Sequence, residues 1–296
     1  MTSPLTKAVL LMAHGTPDSL DEMPEYLAHV RGGRLPSPEL VKEMRHNYAA
    51  IGGRSPLTDR TRDQAVALAG VLAGQAAVYV GMRNWTPFIA DALRLAAEDG
   101  IQEIVALPLA PQYSTLSVGK YRQAVERAQL PGITVSFVDS WHAHPDLLEA
   151  FAEKVRAAAP QEGEAVIFTA HSLPERVIAE GDPYADQVAA TAQGVAERAG
   201  VREYTQAWQS AGRTEEPWLK PSLEERLGEL ADRGVTQALV VPVGFVADHT
   251  EILYDIDVQA QAFARERSLA LRRTESLNAA PTFIRALADI VRARLG

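Results

Sequence analysis

What most constrains the fold of this chain is an alternation. Short runs rich in Ala, Val, Leu and Ile recur along it, separated by longer stretches with helical periodicity. The candidate strands are Ala8–Ala13, Ala77–Val80, Glu103–Leu107, Ile133–Val138, Ala165–Ala170, Glu203–Trp208 and Ala238–Val243. Most are apolar without a polar alternate face, the pattern of strands buried on both sides of a parallel sheet. Between them Arg62–Leu72, Pro87–Glu98, Pro145–Ala158 and Asp186–Ala199 read as amphipathic helices. Strands alternating with helices imply an α/β fold with helices on both sheet faces. A chain of 296 residues is long enough for two such domains.

A faint internal repeat supports two similar halves. Leu11-Met-Ala-His14-Gly-Thr-Pro17 echoes Phe168-Thr-Ala-His171-Ser-Leu-Pro174. Each has an apolar strand, then Ala-His, then two residues, then Pro. Later in each half an apolar strand is broken by proline, at Pro108 and Pro242. The expected division is residues 1–140 and 141–281, joined around Ser140–Pro145. In this reading His14 and His171 stand at equivalent strand ends, where α/β sheets bind ligands. They are expected to face each other across an interdomain cleft, a preferred ligand site.

Composition removes several chemistries. There is no cysteine, so disulfides, catalytic thiols, thiolate zinc sites and cysteine-ligated iron–sulfur clusters are all excluded. The formal net charge is −9, which disfavours nucleic acid or an anionic membrane as the main partner. No run of about 18 apolar residues suggests a membrane span. Met1–Lys7 lacks the basic-then-apolar order of a signal peptide. A cytoplasmic protein, expected as a monomer, is the default. Neither a dinucleotide glycine fingerprint nor a Walker A loop is found.

Several residues invite chemistry, each with a plainer alternative. His171 opens His171-Ser-Leu-Pro-Glu175, but Ser172 with Glu175 also fits a helix capping box. Glu251 follows the apolar run Ala238–Val243, yet Asp248-His-Thr-Glu251 is a second capping-box pattern. Glu251, Asp255 and Gln259 have i, i+4 spacing and would share one helix face, suited to passing cations or accepting protons. The alternative is a solvated helix. Trp141-His142-Ala-His144 looks like a metal-ligand pair but reads better as a surface loop. Arg31, Arg34, Arg45 and Arg54 with Lys42 make the region after the first strand basic, either a solvated surface or a rim for carboxylates.

Longer motifs now come into view. His171-Ser-Leu-Pro-Glu with Gly181-Asp-Pro-Tyr184 resembles the ferrochelatase signature. So do Trp208-Gln-Ser210 with Pro217-Trp-Leu219, and Val241-Pro-Val-Gly-Phe-Val-Ala-Asp-His-Thr-Glu251. Ile51-Gly-Gly-Arg-Ser-Pro-Leu57 and Leu109-Ala-Pro-Gln-Tyr-Ser114 fit as well, and the resemblance runs from about Val9 to the C-terminus. It is strongest to the bacterial coproporphyrin III ferrochelatases.

The resemblance implies two Rossmann-like domains around a porphyrin cleft, with a C-terminal helix at Thr282–Leu295 packing back on the first. It implies insertion of Fe2+ into a porphyrin in haem biosynthesis, with no cofactor beyond the substrate iron and no iron–sulfur cluster. A haem-pathway enzyme that accepts the product is an implied partner. His171 and Glu251 map to the catalytic and metal-binding pair. Substrate contacts map to His14, Arg31, Tyr48, Ser55 and Tyr121. Relatives often carry a tyrosine where this chain has His14, which makes His14 a candidate axial ligand. Some have cations where it has Gly32 and Asn47, so propionate contacts are expected to shift onto Arg34, Arg45 or Arg54. Coproporphyrin III is the expected substrate. Protoporphyrin IX, a cobalt or nickel chelatase of another tetrapyrrole, and a haem carrier without turnover are the alternatives.

Overall fold

A computed structural model describes residues 5–128, 131–212 and 214–295. The chain divides into two compact units. One comprises Met1–Ala110, Leu116–Trp141 and Asn278–Gly296; the other comprises Pro111–Thr115 and His142–Leu277.

The first unit is built on strands β1 (Lys7–Ala13), β2 (Ala77–Met82), β3 (Glu103–Pro108) and β4 (Thr134–Phe137), all parallel. Their spatial order is β2-β1-β3-β4. The second unit repeats this plan with β5 (Ala165–His171), β6 (Thr205–Gln209), β7 (Gln237–Val241) and β8 (Ala270–Arg273), in the order β6-β5-β7-β8. Identical orders in the two units give the short sequence echo a structural basis. In each, the chain leaves the first strand to one side and later returns to the other. The reversal opens a crevice beyond the carboxyl ends of β1 and β3, and of β5 and β7. His171 closes β5, and His14 follows β1 directly.

The central strands are apolar because helices cover both faces. Ala8 to Met12 of β1 and Val166 to Ala170 of β5 are buried. Helix Ile89–Glu98 packs its Ile89, Ala92, Leu93 and Ala96 against Ala8, Leu10 and Met12. In the second unit, Leu223, Leu227 and Leu230 of helix Leu223–Asp232 join Ile167, Val240, Ile252 and Ile256. The C-terminal helix Pro281–Leu295 buries Phe283, Ile284 and Leu287 within the first unit, where Phe283 stacks on Trp141 with ring centroids 6.1 Å apart.

Two elements depart from expectation. Strand β8 is absent from the hydrophobic pattern because two of its four residues are arginines. Only Leu271 is buried. Arg272 pairs with Glu164, and Arg273 with Asp257 and Asp248, so an edge strand is charged where it leaves the core. The second departure lies past Glu251. A short α-turn, Thr250–Leu253, widens into a π-helical turn over Asp255–Ala260. Such turns are rare and concentrate at functional sites.

Candidate active site

In the second unit the crevice is built around His171. Its Nδ1 lies 2.5 Å from the Ser172 carbonyl, which can only accept, so Nδ1 carries the proton. That tautomer leaves Nε2 as a lone-pair donor. Nε2 faces Glu251 Oε2 at 3.7 Å, too long for a hydrogen bond. Metal–ligand bonds of about 2.1 Å to an imidazole nitrogen and a carboxylate oxygen set the two ligand atoms roughly 3–3.6 Å apart. The pair is therefore spaced to share a cation. It is also partly open, with 32% and 40% of the side chains exposed.

Local structure holds both groups. After Val241, Pro242 and Gly244 carry the chain close past the end of β5. A Cβ on Gly244 would stand 2.6 Å from that of Ala170, so glycine is needed for the approach. His249 then caps the short helix, its Nδ1 accepting the Glu251 N–H at 3.2 Å. The Glu251 carbonyl receives Gln209 Nε2 at 3.1 Å, and Gln209 Oε1 accepts the Thr169 hydroxyl. Neither expected capping box forms. Asp248 instead accepts from Ser276 and pairs with Arg273. The Ser172 hydroxyl donates to the Leu219 carbonyl, and helix Glu175–Ala179 has no side-chain cap. The carboxylate of Glu251 and the imidazole of His171 are thus not consumed by capping.

A second acid stands behind the pair. Asp255 accepts a hydrogen bond from the Ser210 hydroxyl, and Ser210 adopts φ +60° to deliver it. Burial, reinforced by the Glu251 charge, pushes the Asp255 carboxyl up to about 7; Ser210 and His171 oppose the rise, and Glu224 adds to it. The Gln259 side chain does not extend the line but donates to Glu224 at 2.8 Å. A folded-state value raised above the unfolded one means ionised Asp255 costs stability. The deficit opens as pH rises above the unfolded value, near 4, and is complete above about 7. Asp255→Asn is expected to melt with the wild type at pH 4 but several degrees higher at pH 8, at roughly 2–4 °C per kcal/mol. Equal melting temperatures at both pH values would refute this.

In the first unit His14 is enclosed. Its Nδ1 lies 3.1 Å from the Gly15 carbonyl and 3.2 Å from the Tyr26 hydroxyl, while Nε2 accepts from Asn84 Nδ2 at 3.0 Å. Axial ligation through Nε2 would require Asn84 to move. Tyr48 is buried beside Tyr26 and Trp85, with its hydroxyl 2.8 Å from Thr16 Oγ1. Tyr121 is buried, and burial pushes its phenol up to about 12. The Arg83 guanidinium lies 5.4 Å from that ring, and Arg83 and Asn84 hydrogen-bond back to the end of β1. His14, Tyr26, Tyr48 and, through Arg83, Tyr121 thus form one neighbourhood. Ser55 is buried near the start of helix Leu57–Val71, where its Oγ accepts the Leu57 N–H at 3.4 Å. Arg31 is exposed at the end of helix Met23–Val30. Among the described contacts, neither touches that neighbourhood.

The other basic residues differ in availability. Arg54 is paired with Asp59. Arg34 Nε donates to the Arg31 carbonyl, and Arg45 Nε to the Leu20 carbonyl. Arg45 and Lys42 also line a cavity of about 460 Å³ with Pro24, Leu35, Pro36 and Val41. Its lining does not include His14. His142 and His144 make no metal site; no cluster of three or more metal-ligating side chains occurs among the described residues.

Sequence reasoning missed Asn84, Tyr26 and Arg83 around His14, and Tyr184, Ser210 and Gln209 around His171. Asn84 and Arg83 follow β2, so the strand-end rule that selected His14 applied to them too. Tyr184 and Ser210 lie within the motifs quoted above.

This fold is shared with solved chelatases. The structure of SirB from Bacillus subtilis with Fe3+ superposes with a TM-score of 0.60 at 15% identity, covering 97% of this chain and 95% of that one. CbiX, an enzyme of siroheme biosynthesis in denitrifying bacteria, gives 0.55 at 15% identity, covering 98% and 100%. The fold is thus that of the chelatases. The ferrochelatase family model matches residues 6–295. A ferrochelatase of Deinococcus radiodurans is 43% identical over 98% of this chain and 96% of its own length. A coproporphyrin III ferrochelatase of a Geobacillus strain is 42% identical over 97% of each. The chain belongs to the ferrochelatase family, and its class is that of metal-inserting lyases.

Proposed function

We propose that this enzyme inserts Fe2+ into coproporphyrin III, with His171 and Glu251 handling the metal and the pyrrole protons. The observation that carries the reading is the 3.7 Å pairing of His171 Nε2 with Glu251 Oε2 at the end of β5. Insertion removes two protons from pyrrole N–H groups and strips water from the ion. An imidazole fixed as the Nε2 acceptor and a carboxylate together offer two proton acceptors, and the same atoms are a fitting pair of ligands for Fe2+. A porphyrin hides its lone pairs in the ring plane, so binding that bends the ring supplies part of the activation. Asp255, behind Glu251, extends the acidic path for the incoming cation. His14, Tyr48, Ser55, Tyr121 and Arg31 are assigned to the porphyrin.

Coproporphyrin III carries four propionates, against two in protoporphyrin IX, and needs more cations around its rim. Arg31, Arg34 and Arg45 have no carboxylate partner among the described residues. Relatives at 40–42% identity bear the name coproporphyrin III ferrochelatase. No helix among the described residues is long and apolar enough to cross a membrane. The test is an anaerobic assay with Fe2+, followed by loss of the free-base porphyrin spectrum. Coproporphyrin III is expected to exceed protoporphyrin IX in kcat/KM, and Arg31→Ala to lose about 10-fold on coproporphyrin, the scale of one exposed charge-assisted contact. Equal kcat/KM for the two porphyrins, or an unchanged Arg31 variant, would remove the substrate assignment.

A further inference from the structure

A buried amide joins the two segments that carry His171 and Glu251. Strands β5 and β6 pair in parallel from Ile167↔Thr205 to His171↔Gln209, so Gln209 closes β6 where His171 closes β5. Past the last pair, the Ser172 N–H donates to the Gln209 carbonyl at 2.7 Å. Ser172 in turn offers the carbonyl that fixes the His171 Nδ1 proton. The main chain of Gln209 therefore holds the strand end on which the imidazole is oriented.

The side chain of Gln209 serves the other segment. It is only 3% exposed, at a strand end where an apolar residue would fill the core without needing partners. A buried amide is costly unless its donor and acceptor are both used, and here both are. Nε2 donates to the Glu251 carbonyl at 3.1 Å, and Oε1 accepts the Thr169 hydroxyl at 2.9 Å. A carbonyl can only accept, so the group facing Glu251 must be the NH2 and the group facing Thr169 the oxygen. Thr169 is fully buried on β5, and its hydroxyl keeps the amide turned to donate to Glu251. The Glu251 N–H is held by His249 of its own loop, whereas Gln209 ties the Glu251 carbonyl to the strand pair that ends in His171. The next residue, Ser210, donates its hydroxyl to Asp255. All these residues belong to the second unit.

We infer that Gln209 is a positioning residue for metal insertion: with its amide oriented by Thr169, it fixes the Glu251 main chain to the end of β5 and so sets the spacing of Glu251 from His171. The inference rests on the reading of His171 and Glu251 as the metal-handling pair. Groups that orient a metal ligand without touching the metal typically control about 10–100-fold in affinity or activity. Gln209→Met keeps the length of the side chain and its main-chain bond to Ser172, and removes both amide groups. Thr169→Val leaves Gln209 in place and removes only the donor to its oxygen.

The test uses Co2+ alone as a binding probe, titrated by calorimetry, beside steady-state Fe2+ insertion. Gln209→Met is expected to weaken Co2+ binding and lower kcat by about 10-fold each, with the KM for porphyrin unchanged. Thr169→Val should lose in the same direction by a smaller factor. In a Glu251→Gln background, Gln209→Met should add no further loss of Co2+ affinity, because the carboxylate it positions is already gone. A role confined to stability would lower the melting temperature and leave this pattern absent. A folded Gln209→Met variant with Co2+ affinity and kcat within about twofold of wild type would overturn the inference. So would a Gln209→Met loss that persists undiminished in the Glu251→Gln background. If Gln209→Met does not fold, Thr169→Val is judged by the same outcomes. Failure of the underlying reading looks different, because Glu251→Gln would then itself keep native Co2+ affinity and turnover.

Discussion

Replacing His171 with alanine is expected to lower the turnover of metal insertion by about 10²-fold or more, the usual scale for a lost acid–base group. Far-UV circular dichroism should remain native. The side chain closes β5 and is 32% exposed, so its removal leaves no sealed cavity. Its one backbone partner, the Ser172 carbonyl, lies on a neighbouring residue of the same segment. The loss should appear in kcat, since the role proposed for the imidazole is on the metal and the pyrrole protons, while other residues are assigned to the porphyrin. Turnover close to wild type in the folded variant would remove His171 from the mechanism.

Glu251→Gln separates charge from shape. The cap on helix Thr250–Leu253 comes from His249, and the main-chain contacts of Glu251 go through its N–H and carbonyl. The amide keeps these intact, so the melting temperature should change little. A capping role would cost about 1 kcal/mol of stability and leave activity alone. On the proposed role, loss of the carboxylate should instead collapse insertion, because it removes the anionic ligand and proton acceptor assigned to Glu251. It also removes the charge that helps raise Asp255, so ionised Asp255 should cost less stability at pH 8 than in the wild type. A variant with normal turnover, whatever its stability, would leave the 3.7 Å pairing without a catalytic meaning.

The strands and helices were largely legible in the sequence because burial on both sheet faces demands continuous apolar runs. Helix Pro145–Ala158 begins and ends where its pattern predicts. Strand β8 was not legible, since an edge strand answers to its ion pairs rather than to a core. The π-helical turn was not legible either. An i, i+4 pattern written for an α-helix says nothing of a local widening, and Gln259 turns to Glu224 instead of joining the acidic line. The capping-box readings of Ser172 and Asp248 were reasonable patterns that tertiary partners overrode: the Leu219 carbonyl claims one, and Arg273 with Ser276 claim the other.

By itself, then, the sequence determined the α/β class, the doubled plan and the family. It also singled out His171 and Glu251 as the candidate pair. Those follow from residue type and order along the chain, which local periodicity and motif length preserve. Only the tertiary structure decided that His171 and Glu251, 80 positions apart in the sequence, come within 3.7 Å. It decided which imidazole nitrogen is free, because that depends on where the Ser172 carbonyl points. It raised Asp255 toward neutrality by burying it beside another acid. Each is a matter of distance and desolvation between segments remote in sequence, and a linear pattern carries neither.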